Sequence, residues 1–290
     1  METQRVQAQE PFVASVGPNA NAVPVARGRA IVVTSGKGGV GKTTTTANLG
    51  VALAARGARV VLIDADVGLR NLDLVLGLES RIRHHLLDVL EEKVTLDDAL
   101  VRDKRVENLF LLAAAQNREK DDVPTEAMRG LVEKLRAAYD YVLIDSPAGI
   151  EMGFKNAIAA AGEAIVVCTP EVAAVRDVDR VVGLLGNDLS AQLIVNRLRP
   201  ALVRKGKMLS VDDVNAILRL PLLGVIGDEP EVIVATNRGE PPALAANSPT
   251  GAAYRAIAAR IAGEDVPAPQ AAQAEGFLDK LGAFFGGRAK

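Results

Sequence analysis

Short apolar runs and longer helical stretches alternate along most of the chain. The apolar runs cover residues 30–34 (AIVVT), 60–63 (VVLI), 109–112 (LFLL), 141–144 (YVLI), 164–168 (AIVVC), 193–195 (LIV) and 222–226 (LLGVI). Val, Ile and Leu dominate them and no polar face alternates through them, as expected of parallel strands buried on both sides. Helical spacing covers 42–56, 125–138, 153–161, 171–185, 212–219 and 249–262. The alternation predicts an α/β fold: one domain with a mostly parallel central sheet and helices on both faces. Ligands of such sheets sit at the carboxyl ends of the strands, so the residues that follow each run carry the interest. There is no repeat period, which excludes a solenoid.

The pattern occupies residues 29–263. Residues 1–28 hold Gln, Ala, Pro and Asn without periodicity and read as a flexible leader. Residues 264–275 (EDVPAPQAAQAE) read as a linker. Residues 276–290 form the tail. Written as a helix, the tail places Phe277, Leu278, Leu281, Phe284 and Phe285 at i, i+1, i+4, i+7 and i+8, one apolar stripe beside Lys280, Arg288 and Lys290. Three of the six phenylalanines lie in this short piece. This is the pattern of an amphipathic helix that lies in a membrane interface, and the basic residues suit anionic phospholipid. One copy is expected to bind weakly. So short a helix is marginal in water, Gly282 lowers its propensity, and Asp279 is unfavourable near lipid. Two copies on one particle would gain on the order of 10²–10⁴ in avidity.

Composition narrows the function classes. The 290 residues include 34 Lys+Arg and 36 Asp+Glu, a net charge of −2, and 49% are hydrophobic. Disorder throughout and a body that adheres to any polyanion are both excluded. A single cysteine, Cys168, excludes an intrachain disulfide framework and paired-cysteine metal or cluster chemistry. Aromatics are 3% with no Trp, which argues against base stacking on single strands. No apolar stretch approaches 18 residues, and the leader, with Pro11, Pro18 and Pro24, does not read as a signal peptide. The expected location is cytoplasmic, or peripheral on the cytoplasmic face of the cell membrane.

The strongest chemical signal is Gly36, Lys37, Gly38, Gly39, Val40, Gly41, Lys42 and Thr43, followed by Thr44. It fits GxxxxGK[ST] between a predicted strand and a predicted helix, the context that gives the motif meaning. Glycines let backbone N–H groups close around phosphate oxygens, and the following helix adds its positive end. Lys42 can neutralise the β- and γ-phosphates of a nucleotide, and the Thr43 hydroxyl can ligate Mg²⁺. The domain is therefore expected to be a P-loop NTPase. Lys37 stands at a position that the motif leaves free; it either points toward phosphate on another subunit or is a solvated lysine. Hydrolysis also needs an acid near the metal and a group that orients water. Asp145 ends the YVLI run as a Walker B aspartate should. Asp64 and Asp66 end VVLIDAD on one side of the extended chain. Asp64 is assigned to the Mg²⁺ region and Asp66 to the water.

Together these residues resemble the deviant Walker A ATPases of the ParA/MinD superfamily, marked by KGGxGKT, and within it the MinD family. The segments that carry the resemblance are VVTSGKGGVGKTT (32–44), IDADVGLRNLDL (63–74), KRVENLFLLAA (104–114), IDSPAGIEMG (144–153), PEVAAVRDVDR (170–180) and GEPP (239–242), plus the tail. The resemblance implies an ATPase that dimerises with ATP, binds the inner membrane surface and recruits a MinC-like septum inhibitor against FtsZ. A MinE-like or other topological factor would set the pattern, and no specific nucleic acid is expected. It implies catalytic roles for Lys37, Lys42 and Asp66, dimer contacts for Lys37 and Asn71, and an adenine contact for Asn196, with the loop after residue 226 closing over the base. Asp177 and Asp179 match the helix used for partners; a solvated acidic face is the plain alternative. The chain departs from the family at Gly227, Asp228, Glu229 and Pro230, where proline usually follows the strand directly.

Other features carry less. His84 and His85 lack ligand spacing and read as an exposed pair. Cys168 reads as a buried strand residue. Arg197, Arg199, Arg204, Lys205 and Lys207 form a basic run that could face lipid, nucleic acid or water. Two rivals share the fold: a switch for flagellar placement, whose leader motif is not evident in 1–28, and a partition ATPase that binds DNA. The net charge and the tail argue against the latter.

Overall fold

The computed structural model describes residues 28–116, 123–149, 152–186 and 189–267. Among these, eight strands form one sheet: β1 (Arg29–Thr34), β2 (Val60–Asp64), β3 (Val101–Arg102), β4 (Leu109–Leu112), β5 (Tyr141–Asp145), β6 (Glu163–Cys168), β7 (Ser190–Leu198) and β8 (Leu222–Gly227). Their spatial order is β3-β4-β2-β5-β1-β6-β7-β8. Every pairing is parallel except that of the edge strand β3 with β4. The expected α/β architecture is present, and all seven predicted strands are found. β3 is additional, and β7 extends well beyond 193–195, through polar Ser190, Gln192, Asn196 and Arg197.

The helices among the described residues are α1 (Lys42–Ala54), α2 (Leu72–Val75), α3 (Leu86–Leu90), α4 (Leu96–Ala99), α5 (Thr125–Arg136), α6 (Met152–Ala159), α7 (Val172–Leu185), α8 (Pro200–Arg204), α9 (Val211–Leu218), α10 (Glu231–Asn237) and α11 (Pro249–Ile261). They cover both faces of the sheet, and the strand period of two divides the core between them. Ala30, Val32, Val142 and Ile144 face a cluster with Leu131 and Leu135 of α5, Phe154 of α6 and Val178 of α7. Their neighbours Ile31, Val33 and Leu143 face the opposite cluster, with Leu49 and Leu53 of α1 and Tyr254 and Ile257 of α11. No polar face remains on the central strands, which is why they read as continuous apolar runs.

The amino-terminal edge of the sheet gathers the two ends of the domain. Gly28, expected to close the leader, is buried and donates to Arg136 O at 2.9 Å. Arg29 pairs with Glu163 at 2.6 Å and also donates to Ile261 O at the end of α11. Arg260 donates to Leu223 O at 2.9 Å and reaches the Pro267 carbonyl. The described chain therefore ends at the edge opposite the GKGGVGKT loop. Phe277, Leu278, Leu281, Phe284 and Phe285 lie outside the described residues, as does most of the leader.

Candidate nucleotide site

The loop between β1 and α1 lies at the carboxyl edge of the sheet. Gly41 caps α1 with φ 98°, a left-handed conformation that favours glycine. The loop thus meets the amino end of a 13-residue helix, whose unpaired N–H groups and dipole favour an anion. Lys42 is buried, and its Nζ donates to Ser35 Oγ at 3.1 Å. Ser35 Oγ in turn donates to Lys37 O at 2.8 Å, fixing the start of the loop. Lys37 itself is exposed. Gly36 packs directly on the backbone of α7: a Cβ there would stand 2.3 Å from Asp177 C. Of the two predicted partner residues, Asp177 is half-buried behind the loop and Asp179 is exposed.

The carboxylates behave differently from one another. Asp64 and Asp145 are side by side in the β2–β5 register and are both buried. Asp64 Oδ1 accepts from Asp66 N at 3.0 Å, and Oδ2 accepts from Leu72 N at 3.1 Å. Asp145 Oδ1 accepts from the Thr46 hydroxyl at 3.3 Å. Burial raises the pKa of both, and the Asp145 charge raises Asp64 further. At Asp145 the Thr43 hydroxyl and the Lys42 ammonium oppose the rise. Two buried carboxyl groups thus stand beside a hydroxyl, all hard oxygen donors. Such a set suits Mg²⁺, which takes few protein ligands and keeps water and phosphate oxygens. No group of three or more His, Cys, Asp or Glu forms a metal cage among the described residues. Asp66, by contrast, is half-buried and lines the open cavity.

Two cavities meet over the loop. The larger, about 630 Å³, is lined by Gly38, Lys42, Thr43, Asp66 and Asn71, with α2 and the end of α10 as its far wall. The smaller, about 320 Å³, is lined by Asn196, Ile226, Pro230, Ile233 and Tyr254. They share Gly41, Thr44 and Arg197, so they form one groove of the size that a ligand occupies. Asn196 does not end its strand. It lies within β7 at a register break, donates to Val40 O at 2.8 Å and accepts from Arg197 N at 2.9 Å. It therefore braces the phosphate loop from the side of the smaller cavity. Asp228, Glu229 and Pro230 form part of that cavity's wall, and Asp228 is tied to Arg199 at 2.5 Å.

Several contributors were not legible in the sequence. Ser35, Thr46 and Arg197 reach the site as described. Asn48 accepts from Ala243 N at 2.8 Å and so anchors the turn after GEPP to α1; its one signal was a polar residue in an apolar helix. His84 and His85 are not an exposed pair. Both are half-buried, and His85 caps α3, with its ring accepting from Asp88 N at 3.3 Å. Cys168 is buried, as expected, and burial pushes its thiol up to about 12. Arg204, Lys205 and Lys207 are exposed.

The family model AAA_31 (AAA domain) matches residues 28–189. The septum site-determining protein MinD of Synechocystis sp. is 57% identical over 242 residues, 82% of this chain and 91% of that protein. The chain belongs to the MinD family. Among solved structures, the MinC:MinD cell division protein complex of Aquifex aeolicus matches at 46% identity and a TM-score of 0.77, over 84% of this chain and 99% of that one. MinD of Pyrococcus horikoshii, complexed with Mg-ADP, matches at 32% identity and a TM-score of 0.73, over 80% and 95%. The chain is thus a nucleotide-binding P-loop ATPase of the septum site-determining MinD type. Among the described residues no helix is long and apolar enough to cross a membrane.

Proposed function

We propose that the chain is an ATP-driven membrane switch: it pairs with a second copy when ATP is bound, engages anionic phospholipid through its tail and recruits a MinC-like septum inhibitor. The observation that carries this reading is the rim of the nucleotide groove. Leu69, Leu74 and Ile233 line the groove and are 59%, 51% and 66% exposed, and Val234 beside them is 51% exposed. Large apolar side chains left in water around a polar cavity mark a surface made to be covered. Lys37, next to the groove-lining Gly38, and Asn71 are both exposed, and in this reading they would meet a partner's phosphates.

In this reading the loop amides and Lys42 hold the phosphates of ATP in the larger cavity, and the base enters the smaller one past Asn196. Thr43 with Asp64 and Asp145 would hold Mg²⁺, which supplies charge neutralisation at the β- and γ-phosphates. Asp66 orients the attacking water, and Lys37 completes the partner's site. The complex of the Aquifex relative supports a MinC-like partner, and Asp177 and Asp179 on α7 offer the surface for it. A MinE-like or other topological factor would act on the same face. Contact between Gly36 and the α7 backbone gives such a partner a short route to the loop. The described chain ends at the opposite edge, so the tails would leave the pair away from the nucleotide and be free to meet a membrane. The protein would then divide its time between the cytoplasm and the cytoplasmic face of the cell membrane.

Sedimentation with anionic liposomes tests this. ATP should bring the protein down with the lipid, and ADP or no nucleotide should leave it in solution. Binding to DNA with ATP, and not to lipid, would contradict the reading.

A further inference from the structure

Asp103 and Arg105 have no part in the roles above. Asp103 stands at the turn between β3 and β4, where it is buried and its N donates to Leu109 O at 2.9 Å. Its Oδ1 accepts from the backbone N of Arg105 at 2.6 Å and of Val106 at 3.2 Å. The same carboxylate grips the Arg105 guanidinium, with Nε 3.2 Å from Oδ1 and Nη2 2.8 Å from Oδ2. Burial alone would raise the Asp103 pKa, but the bonds from Arg105 hold it below the usual carboxylate value, so the grip is between charges.

Held in this way, the guanidinium reaches two carbonyls from segments far apart in the chain. Nη1 donates to Gly239 O at 2.7 Å and Nη2 to Leu76 O at 2.5 Å. Leu76 follows α2, and Gly239 follows α10. The two segments touch at a seam without side chains: a Cβ on Gly239 would stand 2.4 Å from Gly77 Cα. Both glycines have positive φ, 61° and 65°. The seam is the far wall of the larger cavity, with Leu74, Val75 and Gly77 on one side and Thr236 to Gly239 on the other. The other end of α10 supplies Val232 and Ile233 to the smaller cavity.

We propose that Arg105, oriented by Asp103, is a positioning residue for nucleotide: by pinning Leu76 and Gly239 it fixes α10 against α2 and presets the width of the groove. The proposal rests on the reading that nucleotide occupies this groove. A rigid guanidinium fork is suited to the task, since it bonds two carbonyls in one plane while its other edge is held by a carboxylate. Preset geometry is felt in binding, because the groove need not be ordered when ligand arrives.

The test uses the full chain with Arg105→Met, which keeps the stem and removes the donors, and Arg105→Lys, which keeps the charge without the fork. Hydrogen exchange on nucleotide-free protein reports the seam, Mg-ADP titration reports affinity, and steady-state turnover separates KM from kcat. Arg105→Met should speed exchange at residues 76–78 and 237–240. Its Kd for Mg-ADP and KM for ATP should each rise about tenfold, the scale of one charge-assisted hydrogen bond, with kcat within about twofold. Arg105→Lys should fall between, and it carries the test if Arg105→Met does not fold. Faster exchange with unchanged Kd and KM would show a purely structural staple and overturn the proposal; so would unchanged exchange. If wild-type protein bound no Mg-ADP, the site reading would fail instead, and exchange would still report the staple separately.

Discussion

Gly36→Ala places a methyl group where the phosphate loop meets α7. The new Cβ would lie 2.3 Å from Asp177 C, 2.5 Å from Val178 N and 2.6 Å from Asp177 O. All three atoms are main chain inside a helix, so no rotamer change makes room. Ordinary contact begins near 3.4 Å, so the loop or the helix must move by about 1 Å. Gly36 is not in the left-handed region, so the loss is steric and not torsional. Overpacking of this kind costs about 1–3 kcal/mol, which in a domain of this size lowers Tm by roughly 2–12 °C. The larger effect falls on chemistry. A shift of about 1 Å at a phosphate-binding loop costs on the order of 10²-fold in kcat/KM. Calorimetry and a phosphate-release assay measure the two effects. Gly183→Ala, on the same helix with open space around it, is the control and should leave turnover unchanged. Wild-type Tm together with wild-type kcat/KM in Gly36→Ala would refute the account of this contact.

Three further outcomes follow from the geometry. Asp66→Ala should bind nucleotide within a few-fold of wild type but lose about 10²–10⁴ in turnover, as expected for a group that positions water; normal phosphate release would show the assignment to be wrong. Asp145 has a folded-state pKa raised from 3.8 to about 7 by burial, so the native state keeps a proton that the unfolded chain releases. Its contribution to the stability of nucleotide-free protein therefore falls as pH rises through that window, and Asp145→Asn should gain on wild type in a Tm series from about pH 4 to 7; a constant difference would contradict the shift. Gly130 is an exposed glycine within α5 with open space around it, so Gly130→Ala should stabilise by about 0.5–1 kcal/mol in chemical denaturation.

The sheet was legible because its central strands are buried on both faces and so appear as unbroken apolar runs. The phosphate loop was legible because its backbone geometry demands glycine at fixed spacing. The misses have physical causes. β3 is two residues long, and α2, α3, α4, α8 and α10 span four to seven residues, too few for a helical period to show. β7 runs past its apolar core because β6 pairs with Ser190, Ala191 and Gln192 and β8 resumes its ladder at Leu198 after the register break at Asn196 and Arg197, and these polar side chains break the expected pattern. His85 caps α3 although histidine is not a favoured cap, so no signal marked it. The smaller cavity draws Gly41, Asn196, Ile233 and Tyr254 from four separate elements, and only tertiary folding brings them together. The Arg105 fork depends on contact between two turns, which no local pattern encodes.

In the proposed cycle, nucleotide state sets how many tails one particle presents to a bilayer. The most direct measurement pairs light scattering with anionic-liposome sedimentation for Asp66→Ala and for Lys37→Ala, each with ATP. Asp66→Ala should be dimeric and lipid-bound; Lys37→Ala should be monomeric and remain in the supernatant. A monomeric Lys37→Ala protein that sedimented as tightly as the dimer would contradict the account.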